Sequence, residues 1–166
     1  MILEHFKLLA DYNQWANKLL YGAVATIGDK AYFADRKAFF GSIHRTLNHI
    51  LVGDRIWLQR FTGKGDAPDQ LDVILYNDFM SLQMARIAED ERILEIVNGF
   101  DESALKRNLG YRNTAGTAFE TPMAPLLDHF FNHQTHHRGQ VHDMLCQTGM
   151  KPPQLDLLGL IRERLK

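Results

Sequence analysis

Leu126-Leu127-Asp128-His129-Phe130-Phe131-Asn132-His133-Gln134-Thr135-His136-His137-Arg138-Gly139-Gln140 is the stretch on which the reading of this chain turns. Leu126, Phe130, Val141 and Met144 recur at helical steps through it and beyond it, which predicts an amphipathic helix. At about 100° per residue, with His133 as zero, His137 lies at about +40°, His129 at about −40°, His136 at about −60° and Gln140 at about −20°. These side chains share the apolar face and are expected to point into the protein. Arg138, near +140°, and His142, near 180°, leave it by roughly half a turn. Five of the chain's eight histidines lie between His129 and His142.

Working outward, the same period predicts a helix from Ile2 to about Val24, ended by Gly28-Asp29. Residues 29–41 read as a loop. A second helix is expected from about Ser42, a serine cap, to Phe61, with Thr62-Gly63-Lys64-Gly65 as its stop. A third runs from Asn77 or Asp78 to Val97, with apolar points at Phe79, Leu82, Met84, Ile87, Ile93, Leu94 and Val97 and a stop at Asn98-Gly99. Residues 100–120 carry helix breakers, and Leu109-Gly110-Tyr111 with Ala118-Phe119 suggests a short ribbon. The histidine helix begins between Thr121 and Pro125 and runs to about Thr148, where Gly149 and Pro152-Pro153 end it. A short helix follows over 155–164. The expected fold is all-α: a four-helix bundle with long inter-helix connections and a short C-terminal helix, as one domain over residues 1–166. The first-to-second and third-to-fourth connections are long enough to cross the bundle ends, so the pattern leaves the topology open.

Composition narrows the function. The 166 residues are 45% hydrophobic and 23% charged, with a net charge of −1. That balance excludes a disordered chain and lacks the basic stripe of a nucleic-acid binder. One cysteine excludes an internal disulfide framework and a cysteine-based zinc cluster. Cys146 falls across the helix from the histidine face and reads as a small packed hydrophobe. No apolar run of about 18 residues is present to span a membrane. The charges in Ile2-Leu3-Glu4-His5-Phe6-Lys7 interrupt any signal-peptide core, so a cytoplasmic location is expected.

Two overlapping His-x-x-x-His pairs, His129 with His133 and His133 with His137, stand against about 0.4 expected by composition. Buried imidazoles need partners, and two rings one turn apart suit a divalent metal such as zinc. A third nitrogen must come from another helix. His49 in the second helix lies on a face with Thr46, Gly53 and Ile56, whereas His44 sits about 140° away and is not expected to be a ligand. His49, His133 and His137 are therefore the expected ligand set, with His129, His136 and Gln140 as candidates to flank or orient it. His5, His44 and His142 read as ordinary polar positions. There is no His-Glu-x-x-His protease motif, Glu-x-x-His di-iron motif, nucleophile elbow, phosphate loop or dinucleotide fingerprint. Arg138 receives no role from its angle. Gly139, costly inside a helix by about 1 kcal/mol, is expected to mark a close helix approach.

Three blocks carry a family resemblance: Tyr12-Asn13-Gln14-Trp15-Ala16-Asn17; Thr46-Leu47-Asn48-His49-Ile50-Leu51 with Asp54 and Trp57; and Asn132-His133 with His136-His137-Arg138-Gly139-Gln140. In this order and spacing the chain resembles the DinB/YfiT-like family of small bacterial metal-binding four-helix bundles. The resemblance implies a three-histidine site at His49, His133 and His137 for zinc, nickel or another divalent ion, and a homodimer. It also implies chemistry of the kind seen in thiol-dependent transferases and a mycothiol-dependent isomerase. The expected function is a metalloenzyme that activates a low-molecular-weight thiol, or water, toward a small electrophilic substrate, with neither nucleic acid nor membrane as partner. The alternatives are a metal-dependent hydrolase and a non-enzymatic, metal-stabilised dimeric binding module.

Overall fold

The computed structural model describes residues 2–166. Its elements in order are α1 (Ile2–Val24), α2 (Gly28–Phe33), α3 (Ile43–Thr62), α4 (Phe79–Asn98), α5 (Glu102–Lys106), β1 (Asn108–Arg112), β2 (Ala118–Pro122), α6 (Met123–Cys146) and α7 (Leu157–Arg164). The four long helices pack in the cyclic order α1, α4, α3, α6. Local chemistry sets several boundaries as expected. Ser42 caps α3 by accepting from the Arg45 amide at 3.2 Å, and Gly63 closes it at φ 69°. Asp78 caps α4 by accepting from the Ser81 amide at 2.8 Å. The ribbon also forms, antiparallel, with Tyr111 opposite Phe119.

Two short helices occupy stretches that the sequence left irregular. Residues 29–41 are not all loop: Gly28, at φ +72°, turns the chain directly into α2, which buries Tyr32 against Ile43 and Leu47. α5 is a single turn started by Asp101, whose carboxylate accepts from the Ala104 amide at 2.7 Å. Tertiary burial decides both, because neither is long enough to be stable alone.

The core is divided along the bundle. One apolar cluster gathers Phe6, Trp57, Phe61, Ile93, Leu127 and Phe130. The other gathers Leu20, Leu47, Leu51, Leu82, Val141 and Met144. α1 and α6 therefore run from the first cluster to the second, while α3 and α4 run the opposite way. The connection that must travel the bundle's length is thus residues 63–78, between α3 and α4. The longer-looking links before α3 and after α4 each stay at one end.

Between the clusters lies a polar layer. Asn13 and Asn17 of α1, Asp54 of α3, Arg86 and Asp90 of α4, and Gln134 and Arg138 of α6 are all buried. Arg86 pairs with Asp54 and reaches Asp90 at 3.0 Å. Asp54 also accepts from Gln134 at 2.6 Å, and Asp90 accepts from Asn13 and Asn17 at 3.0 and 2.9 Å. Arg138 donates to Asn13 and lies over the Tyr12 ring at 5.1 Å. Two guanidinium groups and two carboxylates from three helices thus balance in charge, which makes their burial tolerable. This layer overrides the expected facing in the middle of α4: Leu82, Ile93 and Val97 are buried as expected, but Met84 and Ile87 are 69% and 55% exposed, while Arg86, Glu89 and Asp90 face inward.

Candidate metal centre

α3 and α6 bring three imidazoles together at the level of the polar layer. His49 comes from the second turn of α3; His133 and His137 stand one turn apart on α6. One ring nitrogen from each lies within 4.8 Å of the others. His49 Nδ1 lies 2.8 Å from the Leu71 carbonyl, so it is the protonated nitrogen and Nε2 keeps the lone pair. His137 Nδ1 lies 2.8 Å from Gln140 Oε1, which frees its Nε2 in the same way. The Leu71 carbonyl belongs to the long α3–α4 connection, so the crossing segment itself orients a ring.

The spacing fits a divalent ion. Nitrogens at 2.0–2.1 Å in a tetrahedral shell stand about 3.3–3.4 Å apart, and His49 Nε2 is 3.2 Å from His133 Nε2. A proton on His133 satisfies that contact in the metal-free protein, and a shared cation would replace it. All three donors are neutral imidazoles, a set suited to zinc, nickel, copper or iron rather than calcium or magnesium. Burial holds them neutral: it pushes His133 down to about 3, aided by His137 and His49. It pushes His137 down to about 4 against the Gln140 hydrogen bond, and lowers His49. Each ring therefore carries one proton rather than two at neutral pH, which leaves one lone pair per ring for a metal.

Close packing fixes the rings. The Phe40 ring stacks on His49 at 4.0 Å between centroids and meets His137 edge-on at 5.6 Å. On the other side His133 lies across the backbone of α3 at Gly53, where a Cβ would stand 2.9 Å from His133 Cε1. The next residues on each helix, Asp54 and Gln134, are hydrogen-bonded. Gly53 accepts the ring, and the neighbouring pair locks the register of the two helices.

The flanking candidates divide. Gln140 is a partner of the cluster, bonded to His137 and, through Nε2 at 3.1 Å, to His136. His136 and His129 are exposed rather than turned inward. His129 packs edge-on against Trp57 at 5.2 Å and lies 6.1 Å from the His133 ring. His44 stays away from the cluster, but it is buried and contacts Tyr32 Oη at 3.1 Å. His142 contacts the Pro153 carbonyl at 3.1 Å.

Two expectations are corrected. Cys146 is exposed, because it lies on the outer side of the last turn of α6, whose inner side is buried through Met144 and Leu145. Gly139 does not mark a close approach: a Cβ there would meet nothing within 4 Å among the described residues, and no contact explains the residue. The polar layer and the roles of Leu71 and Phe40 escaped the sequence reading. The layer had one signal, the Arg86/Asp90 pair at i,i+4 between Leu82 and Ile93.

Fold and donor set define the class: a helical bundle carrying a three-histidine site of a kind that fits a divalent metal. The chain belongs to the DinB family, whose model matches residues 2–164. It is similar to Protein DinB of Bacillus subtilis (strain 168), with 27% identity over 158 residues covering 87% of this chain and 86% of that protein. Among the described residues no helix is long and apolar enough to cross a membrane.

Proposed function

We propose that the protein binds one divalent metal ion, zinc or nickel, through His49, His133 and His137, and that it is a metal-dependent enzyme acting on a small molecule. The observation that carries this reading is the paired fixing of His49 Nδ1 by Leu71 and His137 Nδ1 by Gln140, which leaves both Nε2 lone pairs free in a cluster whose three rings each offer a nitrogen within 4.8 Å of the others. Three protein nitrogens leave coordination positions for a ligand, the pattern of catalytic rather than structural zinc. When bound, such an ion supplies Lewis acidity that makes a nucleophile of a thiol or a water near neutral pH. The protein's own residues hold neutral imidazoles in place, and Phe40 shields one side of them from water.

A low-molecular-weight thiol transferred to an electrophile is the reaction the family resemblance favours; hydrolysis is the alternative at the same site. The cytoplasmic location and the homodimer belong to the same proposal, and exposed Met80 and Met84 on α4 support a contact between copies. Elemental analysis of protein purified without metal-affinity resin tests the first step, and one ion per chain is expected. Thiol titration of the cobalt-substituted protein then separates the reactions, a spectral change favouring the transferase. Absence of metal in the wild type, or retention of it by His133→Ala, defeats the proposal.

A further inference from the structure

On the corner of the bundle away from the histidines, α1 and α4 enclose a cavity of about 550 Å³, partly covered by α7. Its size lies in the range of small-molecule sites, which bury an apolar body and fix it with a few polar groups. Trp15, Ile87 and Leu160 supply apolar wall, and Tyr21 and Arg86 line it from the core side. Those last two are 3% and 2% exposed, yet among the described residues Tyr21 Oη and Arg86 Nε have no hydrogen-bond partner. Arg86 Nη2 lies 3.0 Å from Asp90 Oδ1 but off the hydrogen-bonding line. Buried polar groups in native proteins are nearly always paired, so this grouping of unpartnered donors asks for an acceptor.

The charges point the same way. Lys18, Arg86 and Arg164 line the cavity against Asp11 and Asp90. Asp11 is paired with Arg164 at 2.8 Å, and Asp90, which accepts from Asn13 and Asn17, also lies 3.0 Å from Arg86, so Lys18 is the lining cation that these two carboxylates leave over. Burial raises the Tyr21 hydroxyl, which keeps it a donor.

We propose that this cavity is a second binding site, separate from the histidine cluster, for a small molecule joining a carboxylate head to an apolar body. The head faces Tyr21 and Arg86, and the body lies along Trp15, Ile87 and Leu160. The inference is independent of any reaction at the histidines.

Calorimetric titration with three molecules of equal tail length, octanoate, octan-1-ol and octylammonium, tests it on the metal-loaded protein. Octanoate is expected to bind one per chain, at least about tenfold more tightly than the other two, the ratio that one good polar contact gives. Tyr21→Phe keeps the ring and should fold. It is expected to cost octanoate about tenfold while leaving octan-1-ol unchanged. Octanoate must bind equally to metal-free His133→Ala, because a carboxylate also ligates metals. Binding lost in that variant would place octanoate at the histidines and overturn the proposal. Equal binding of octanoate and octan-1-ol, or no binding of any of the three, would overturn it too, the latter leaving a water-filled cavity.

Discussion

Gly53→Ala separates metal positioning from folding, because it moves the two in opposite directions. A Cβ at position 53 would stand 2.9 Å from His133 Cε1, whereas carbon atoms rest at about 3.5 Å or more. The ring must withdraw by about 0.6 Å, three times the roughly 0.2 Å tolerance of a metal–nitrogen bond. His133 is only half-buried, so it can swing outward without breaking the core. Metal affinity is therefore expected to fall by about 10–100-fold, the range for losing a group that orients a ligand. The metal-free protein should gain, since alanine is favoured over glycine inside a helix by about 1 kcal/mol. For a chain of this length that raises Tm by about 2–4 °C. Competition with a chromophoric chelator reads the first quantity and thermal unfolding in excess chelator reads the second. Wild-type affinity in the variant would refute the positioning argument. A lower metal-free Tm would refute the account of why glycine is there.

Other outcomes follow from the same geometry. His49→Ala and His137→Ala should each lose metal in equilibrium dialysis, while His44→Ala should keep it and lose about 1–3 kcal/mol of stability, because it strands the buried Tyr32 hydroxyl; loss of metal from the His44 variant would contradict the placement of that ring. Asp54→Ala removes one partner of buried Arg86 and the partner of Gln134. It should cost about 3–5 kcal/mol in urea unfolding, and a cost below about 1 kcal/mol would show that the polar layer is not holding the helices. Metal-free stability should fall as pH drops below about 6.5, because the unfolded chain binds protons that the buried rings refuse. The effect continues to about 4 for His137 and about 3 for His133, with a slope of up to about 1.4 kcal/mol per pH unit for each ring. Asp90, raised by burial to about 6, acts with opposite sign and weakens the fold as pH rises through that value. Comparing wild type with His133→Gln/His137→Gln cancels the Asp90 contribution, and equal slopes in the two proteins would be the contrary result.

The sequence by itself determined the four long helices and the three rings. Ser42, Asp78, Gly63 and Gly149 punctuate the chain through local hydrogen bonds and backbone freedom, which need no knowledge of what packs where. His133 and His137 share a face because four residues make about one turn, and the same arithmetic set His49 toward them and His44 away. Periodicity failed where polar groups replaced apolar ones in the interior. Met84 and Ile87 looked like core, yet Arg86 and Asp90 took the inside of α4 because Asp54, Asn13 and Asn17 were waiting on other helices. Only the tertiary structure decided that. It also decided that residues 63–78 run the length of the bundle and carry the Leu71 carbonyl to His49, and that Gly53 leaves room for the His133 ring. The physical reason is range: caps and helical angles are settled within a turn or two, whereas a buried charge or an oriented imidazole depends on partners tens of residues away, visible only once the chain has folded.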